Sequence, residues 1–166
     1  RVVLIHGHLD VPVPAGVVAV SAESAEAMRA LLEEYLPEAD ALVMAAAVPD
    51  FRPKKRFKKK LKKKVGMTDS GQAENTTGMN SLELVPTVDI LHATRELRRM
   101  HNVLSIGFAM ETENLAENAR AKLVSKGLDA IAANPLTEAE AGFGHDTNRI
   151  LWITPDSSDE EWPLQS

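Results

Sequence analysis

The sequence predicts an α/β domain built on a mostly parallel sheet with helices on both faces. Short apolar runs recur along the chain, and segments whose apolar residues have helical spacing alternate with them. Pro, Gly, Asn and Asp mark the joins. Strands that are apolar without polar alternation are buried on both sides, which a helix-covered parallel sheet produces. With 166 residues, 44% of them hydrophobic, the chain suits a single domain, 1–166, with a real core.

Val2–Ile5 is the first such run. Asp10-Val11-Pro12-Val13-Pro14-Ala15-Gly16 is a loop, and Val17–Val20 a second short strand. Ser21 is a candidate helix cap, and Ser24-Ala25-Glu26 opens the helical spacing of Ala27, Met28, Leu31, Leu32 and Tyr35. Pro37 ends that helix, and Ala41–Ala45 forms the third strand. From Phe51 to Ser81 periodicity is lost, over a length unusual for a loop inside a compact domain. Leu82–Val85 is a short strand, Asp89 to Met100 a helix and Val103–Phe108 a strand. Glu113 to Lys126 is an amphipathic helix with Gly127 as its C-cap. Asp129–Ala133 and Asn148–Ile153 are strands, and Trp162-Pro163-Leu164 returns as an edge hairpin.

Composition narrows the functional classes. The chain has no cysteine, which excludes disulfides and thiolate metal sites and fits a reducing compartment. No apolar run approaches the roughly 20 residues needed to span a bilayer. The opening Arg1-Val2-Val3-Leu4-Ile5-His6-Gly7 is no signal peptide, and a domain that opens in mid-strand suggests further sequence upstream. The net charge of −5 hides an asymmetry: nine of the eleven residues from Lys54 to Lys64 are basic. The rest of the chain holds 10 basic against 24 acidic residues, a balance of −14. One basic segment on an acidic domain implies an anionic partner or a solvated loop.

Ligands of parallel sheets bind beyond the carboxyl ends of the strands. Three such ends carry notable residues here: Ala45–Asp50, Gly107–Thr112 and Asn134. Small residues at Ala45, Ala46 and Ala47 let a flat ring or phosphate approach the backbone, and Asp50 can accept hydrogen bonds from a base or ribose. The alternative is close helix–sheet packing, with Asp50 capping a turn. The lysine run suits a polyphosphate, although such runs are usually solvated faces. Lys122 and Lys126 are four residues apart and share a helix face. Their place near the helix carboxyl end would also be explained by the dipole. Glu111 can hold Mg²⁺ beside phosphates or cap the following helix. His6, His8, His92, His101 and His145 show no metal-ligand pattern beyond His6-x-His8, so no resident metal site is expected. There is no Gly-x-Gly-x-x-Gly, P-loop or Gly-x-Ser-x-Gly.

The order and spacing of several segments are more specific than any one of them. These are Val11-Pro12-Val13-Pro14-Ala15-Gly16-Val17, Ala45-Ala46-Ala47-Val48-Pro49-Asp50-Phe51-Arg52-Pro53, Lys60-Leu61-Lys62-Lys63 and Leu82-Glu83-Leu84-Val85-Pro86-Thr87-Val88-Asp89-Ile90-Leu91. Gly107-Phe108-Ala109-Met110-Glu111-Thr112-Glu113, Ala119-Arg120-x-Lys122-x-x-x-Lys126-Gly127-x-Asp129, Ala133-Asn134 and Gly142-Phe143-Gly144-x-Asp146-x-Asn148 complete the series. Along almost its whole length the chain resembles bacterial phosphopantothenoylcysteine synthetase. The resemblance implies a Rossmann-like domain with a basic flexible flap at about 52–81, and a cytoplasmic homodimeric ligase of coenzyme A biosynthesis. It implies that CTP activates the carboxylate of 4′-phosphopantothenate as an acyl-cytidylate, with Mg²⁺, before the amine of cysteine forms the amide.

By the same resemblance, Ala45, Ala46, Ala47 and Asp50 hold cytosine and ribose, and Phe108 lines the nucleotide site. Lys60 is the catalytic flap lysine, chosen by its ten-residue spacing from Asp50, and Lys122 and Lys126 bind the triphosphate. The pattern departs from the family at Val88, where Pro is common, and in the richness of the basic run. The family's Asn-Arg-Ser-Ser-Gly-type segment, with a catalytic Asn, is not among these residues, and nothing resembles the FMN-dependent decarboxylase domain that precedes it in many bacteria. The 166 residues alone are therefore expected to associate and to lack turnover. Two other readings are a non-catalytic nucleotide-binding module and a polyanion-binding module using the lysine run. The second sits poorly with a domain of −14 without nucleic-acid or membrane-binding motifs.

Overall fold

The computed structural model describes residues 1–55, 66–67, 73–74, 82–135, 147–156 and 159–165. They form two compact units, Arg1–Val48 with Asp89–Ser166, and Pro49–Val88.

The first unit opens with β1 (Val2–His6), paired in parallel with β2 (Val17–Ser21). Ser24, not Ser21, caps α1 (Ala25–Tyr35): its Oγ accepts the Ala27 N–H at 3.1 Å, while Ser21 is the last residue of β2. Pro37 sits in a single 3₁₀ turn, Leu36–Glu38, and β3 (Ala41–Met44) follows. The second unit holds two antiparallel pairs. The strands β4 (Phe51–Pro53), β5 (Gly66–Met67), β6 (Ala73–Glu74) and β7 (Leu84–Pro86) pair as β4 with β7 and β5 with β6.

Back in the first unit, the helix expected over Asp89–Met100 is two pieces, α2 (Ile90–Ala93) and α3 (Arg95–Met100). The break falls at Thr94, which is 1% exposed and turns its hydroxyl back to the Ile90 carbonyl at 2.8 Å. Such back-bonding by a β-branched residue bends helices. Then come β8 (Leu104–Glu111), α4 (Leu115–Lys126), β9 (Ala130–Pro135), β10 (Asn148–Ile153) and β11 (Glu160–Gln165).

A five-stranded sheet runs in the order β11-β10-β9-β8-β3. β3, β8 and β9 are parallel, and β10 and β11 are antiparallel additions. Stacked rings of Trp152 and Trp162, with centroids 5.4 Å apart, tie the last two strands together. Alternation along the strands separates two faces. Ala109, Ile131, Ala133 and Ile153 turn to one face and form the core with Leu91, Ala119, Leu123 and Leu128, backed by Leu42 and Met44. The register places Val43 beside Ile106 and Phe108 beside Ala132 on the other face.

Gly127 closes α4 in the left-handed conformation, φ +58°. A Cβ there would also lie 2.6 Å from Nε of Arg95, an exposed side chain that can shift, so it is the left-handed cap that calls for glycine. Gly107 lets the chain after α4 close on β8, since a Cβ would meet Leu128 Cδ1 at 2.6 Å.

Candidate functional site

The candidate residues of the first unit gather around β3, β8 and α4. Ala45, Ala46 and Ala47 leave the carboxyl end of β3 and are exposed. The Val48 N–H returns to the Ala46 carbonyl at 3.1 Å, making a tight turn. Exposed alanines are not explained by close helix–sheet packing; they leave main chain open to a ligand. Met44 lies opposite Gly107, so the alanine turn begins at the level of Phe108. Phe108 is 44% exposed on the face opposite α4.

On α4, Lys122 and Lys126 are one turn apart, about 6 Å along the axis. Each faces one carboxylate. Lys122 Nζ lies 2.5 Å from Oε1 of Glu111, at the carboxyl end of β8, and Oε2 of Glu111 accepts from the Asn118 amide at 3.3 Å. Lys126 Nζ lies 3.7 Å from Oδ2 of Asp89, whose Oδ1 caps α2 by accepting the His92 N–H at 3.0 Å. The ammonium of Lys126 is therefore directed at Asp89. Carbonyls of the last turn of α4 are taken by α3: Arg95 donates to Ser125 O at 3.5 Å, and Arg98 to Lys126 O at 2.7 Å and Gly127 O at 3.0 Å. Cations from a neighbouring helix already complement this helix end, which weakens the dipole explanation for Lys126. Arg120, on the same helix, pairs with Asp159.

Not all candidates come together. Phe108 and the two lysines lie on opposite sides of β8, so a ligand touching both would pass over the carboxyl ends of β3 and β8. Asp50 belongs to the second unit, is exposed, and accepts the Thr87 N–H through its main-chain oxygen at 2.8 Å. Lys60 lies outside the described residues. Lys54, first in the basic run, pairs with Glu83 at 2.5 Å.

Asp89 and Arg98 were not singled out from the sequence. Asp89 carried a local signal, an acidic residue directly before a helical pattern, which marks an N-cap. Arg98 carried none. A shallow groove lined by His6, Gly7, His8, Leu9, Ser21 and Glu23 lies at the carboxyl ends of β1 and β2, and contains none of the predicted site residues. Among the described residues no group of three or more His, Cys, Asp or Glu converges as a metal site would require.

The model of the DNA/pantothenate metabolism flavoprotein C-terminal domain matches residues 1–166. The coenzyme A biosynthesis bifunctional protein CoaBC of Bacillus subtilis is 36% identical over 167 aligned positions, covering 100% of this chain and 38% of that protein. A cysteine/cysteine sulfinic acid decarboxylase of an unknown prokaryotic organism is 33% identical, over 89% of this chain and 37% of its own length. The crystal structure of the C-terminal domain of a CoaBC superposes with a TM-score of 0.72 at 29% identity, over 99% of this chain and 65% of that one. The chain thus spans well under half the length of these curated relatives. The resemblance read from the motifs holds, and the chain belongs to the family of the DNA/pantothenate metabolism flavoprotein C-terminal domain.

Proposed function

We propose that this chain is the ligase domain that joins 4′-phosphopantothenate to cysteine in coenzyme A biosynthesis, with CTP as the activating nucleotide. The observation that carries the reading is the pair of lysines on α4, each facing one carboxylate among the described residues, at a helix end whose last carbonyls Arg95 and Arg98 already take. Two ammonium groups one turn apart suit the outer phosphates of a nucleoside triphosphate. A relative named as a coenzyme A biosynthesis protein supports the pathway.

In the proposed reaction a carboxylate oxygen of 4′-phosphopantothenate attacks the α-phosphorus of CTP. The bond to the β-phosphate oxygen breaks, and pyrophosphate leaves. The amine of cysteine then attacks the acyl carbon, loses a proton, and displaces CMP. Lys122 and Lys126 hold the β- and γ-phosphates and favour the departing pyrophosphate. The main chain of Ala45–Ala47 and the carboxylate of Asp50 orient cytosine and ribose, and Phe108 covers an apolar side of the nucleotide. Lys60 stabilises negative charge as it develops on the acyl and phosphoryl oxygens. Mg²⁺, when bound, neutralises the polyphosphate. Glu111, at the carboxyl end of β8, is the carboxylate that would hold it beside phosphate oxygens. The ligase is proposed to act as a cytoplasmic homodimer.

The test is release of pyrophosphate from CTP by the full-length protein, measured with each substrate omitted in turn. Release is expected to require 4′-phosphopantothenate, and amide to form only when cysteine is added. Lys60→Gln is expected to lower turnover by about 10²–10³ while changing nucleotide affinity less. Pyrophosphate release independent of 4′-phosphopantothenate would contradict the proposed chemistry. Unchanged turnover in Lys60→Gln would remove that lysine from it.

A further inference from the structure

Arg98 is 2% exposed, and among the described residues no carboxylate bonds its guanidinium. Its partners are three main-chain carbonyls: Leu91 O at 2.8 Å, Lys126 O at 2.7 Å and Gly127 O at 3.0 Å. Nε has no partner. Burial pushes the guanidinium below its ordinary pKa, against the opposing pull of the Asp129 carboxylate. Burying a cation in this way is costly. The carbonyls it meets are not dispersed: one belongs to α2 and two to the end of α4. Asp89, the N-cap of α2, is also the partner of Lys126. A single side chain thus clamps the helix that carries Lys126 to the helix that carries its carboxylate, and one of its bonds is to the main chain of Lys126 itself.

We propose that Arg98 is a positioning residue for triphosphate recognition, fixing the last turn of α4 against α2 so that the ammonium of Lys126, one helical turn from Lys122, is held in place beside Asp89. This rests on the proposed role of those two lysines. A planar guanidinium with several fixed donors can bridge three carbonyls on two helices at once. Lysine at the same position would keep the charge and reach fewer of them. An apolar residue would leave the three carbonyls without these donors and the two helices joined by packing and the Lys126–Asp89 pair. Tolerance in phosphate contacts is small, because displacement of a charged partner by about 1 Å already costs binding and rate.

The test compares Arg98→Met and Arg98→Lys with the unsubstituted full-length protein by calorimetry with CTP and with CMP, and by circular dichroism for the fold. Arg98→Met is expected to weaken CTP about tenfold and CMP less than about twofold, with Arg98→Lys between the parent and Arg98→Met. A folded Arg98→Met protein with unchanged CTP affinity would overturn the proposal, leaving Arg98 a purely structural residue. Equal losses for CTP and CMP would overturn it too, since that pattern marks general loosening. If Arg98→Met does not fold, Arg98→Lys decides: a loss selective for CTP supports the clamp, and no selective loss overturns it. Failure of the underlying reading shows elsewhere, as equal losses of CTP and CMP when Lys122 and Lys126 are replaced in a protein that keeps Arg98.

Discussion

On the α4 side of the five-stranded sheet, Ala109, Ile131, Ala133 and Ile153 are each no more than 3% exposed; on the other side Val43 is 61%, Leu104 51% and Phe108 44% exposed. The two sets alternate along β8, where Leu104 and Phe108 face one way and Ala109 the other, and they are similarly apolar. The sheet's edges differ in a parallel way. β11 carries Glu160, Glu161 and Pro163, residues that discourage a further strand from pairing. β3, at the opposite edge, reads Ala-Leu-Val-Met and carries no such guard. One face and one edge are therefore finished by the residues of this chain. On β3 and β8 the other face, with the β3 edge, presents apolar surface of the kind that binds protein or ligand, whereas β9 is buried on both faces. Substitutions on the first are expected to act on stability and those on the second on association.

The largest expected contrast lies between substitutions on the two sides. Leu123→Ala, in the sealed core, is expected to cost about 3 kcal/mol in denaturant unfolding. Val43→Lys, on the open face, is expected to change stability by less than about 1 kcal/mol. Val43→Lys is also expected to reduce self-association of the 166-residue chain in sedimentation. Equal destabilisation by both would mean that the open face is core as well.

A smaller effect is expected within the site. Glu111→Gln removes the carboxylate paired with Lys122, which on the proposed reading competes with phosphate, and is expected to tighten metal-free pyrophosphate binding about threefold, in line with a partly exposed ion pair. Weaker binding in Glu111→Gln would show instead that Glu111 serves chiefly to aim Lys122.

Much of this arrangement was legible in the sequence because it depends on short-range chemistry. Asn148–Ile153 has the expected bounds, and Gly127 ends α4 as a left-handed cap. Lys122 and Lys126 share a face because four residues make about one turn. The parts that were not legible depend on tertiary contacts. Ser21 and Ser24 are equally good caps locally, and strand pairing took Ser21 into β2. The break at Thr94 follows from burial of its side chain against Ile90 O, which periodicity does not report. Arg98 stands in Arg95-Glu96-Leu97-Arg98-Arg99, a run that reads as a solvated helix face; its burial follows from carbonyls nearly thirty residues further on. Nor does alternation tell which apolar face of a strand will be covered, so Val43 and Leu42 looked alike.

The assignment of α4 as the phosphate-holding helix is tested most directly by calorimetry of the Lys122→Ala/Lys126→Ala protein, at full length, with CTP and with CMP. Loss of two charge-assisted contacts should weaken CTP on the order of 10²–10³-fold, while CMP, which lacks the outer phosphates, changes far less. Equal losses for the two nucleotides, or no loss for either, would contradict it and return both lysines to the role of helix-surface partners for Glu111 and Asp89.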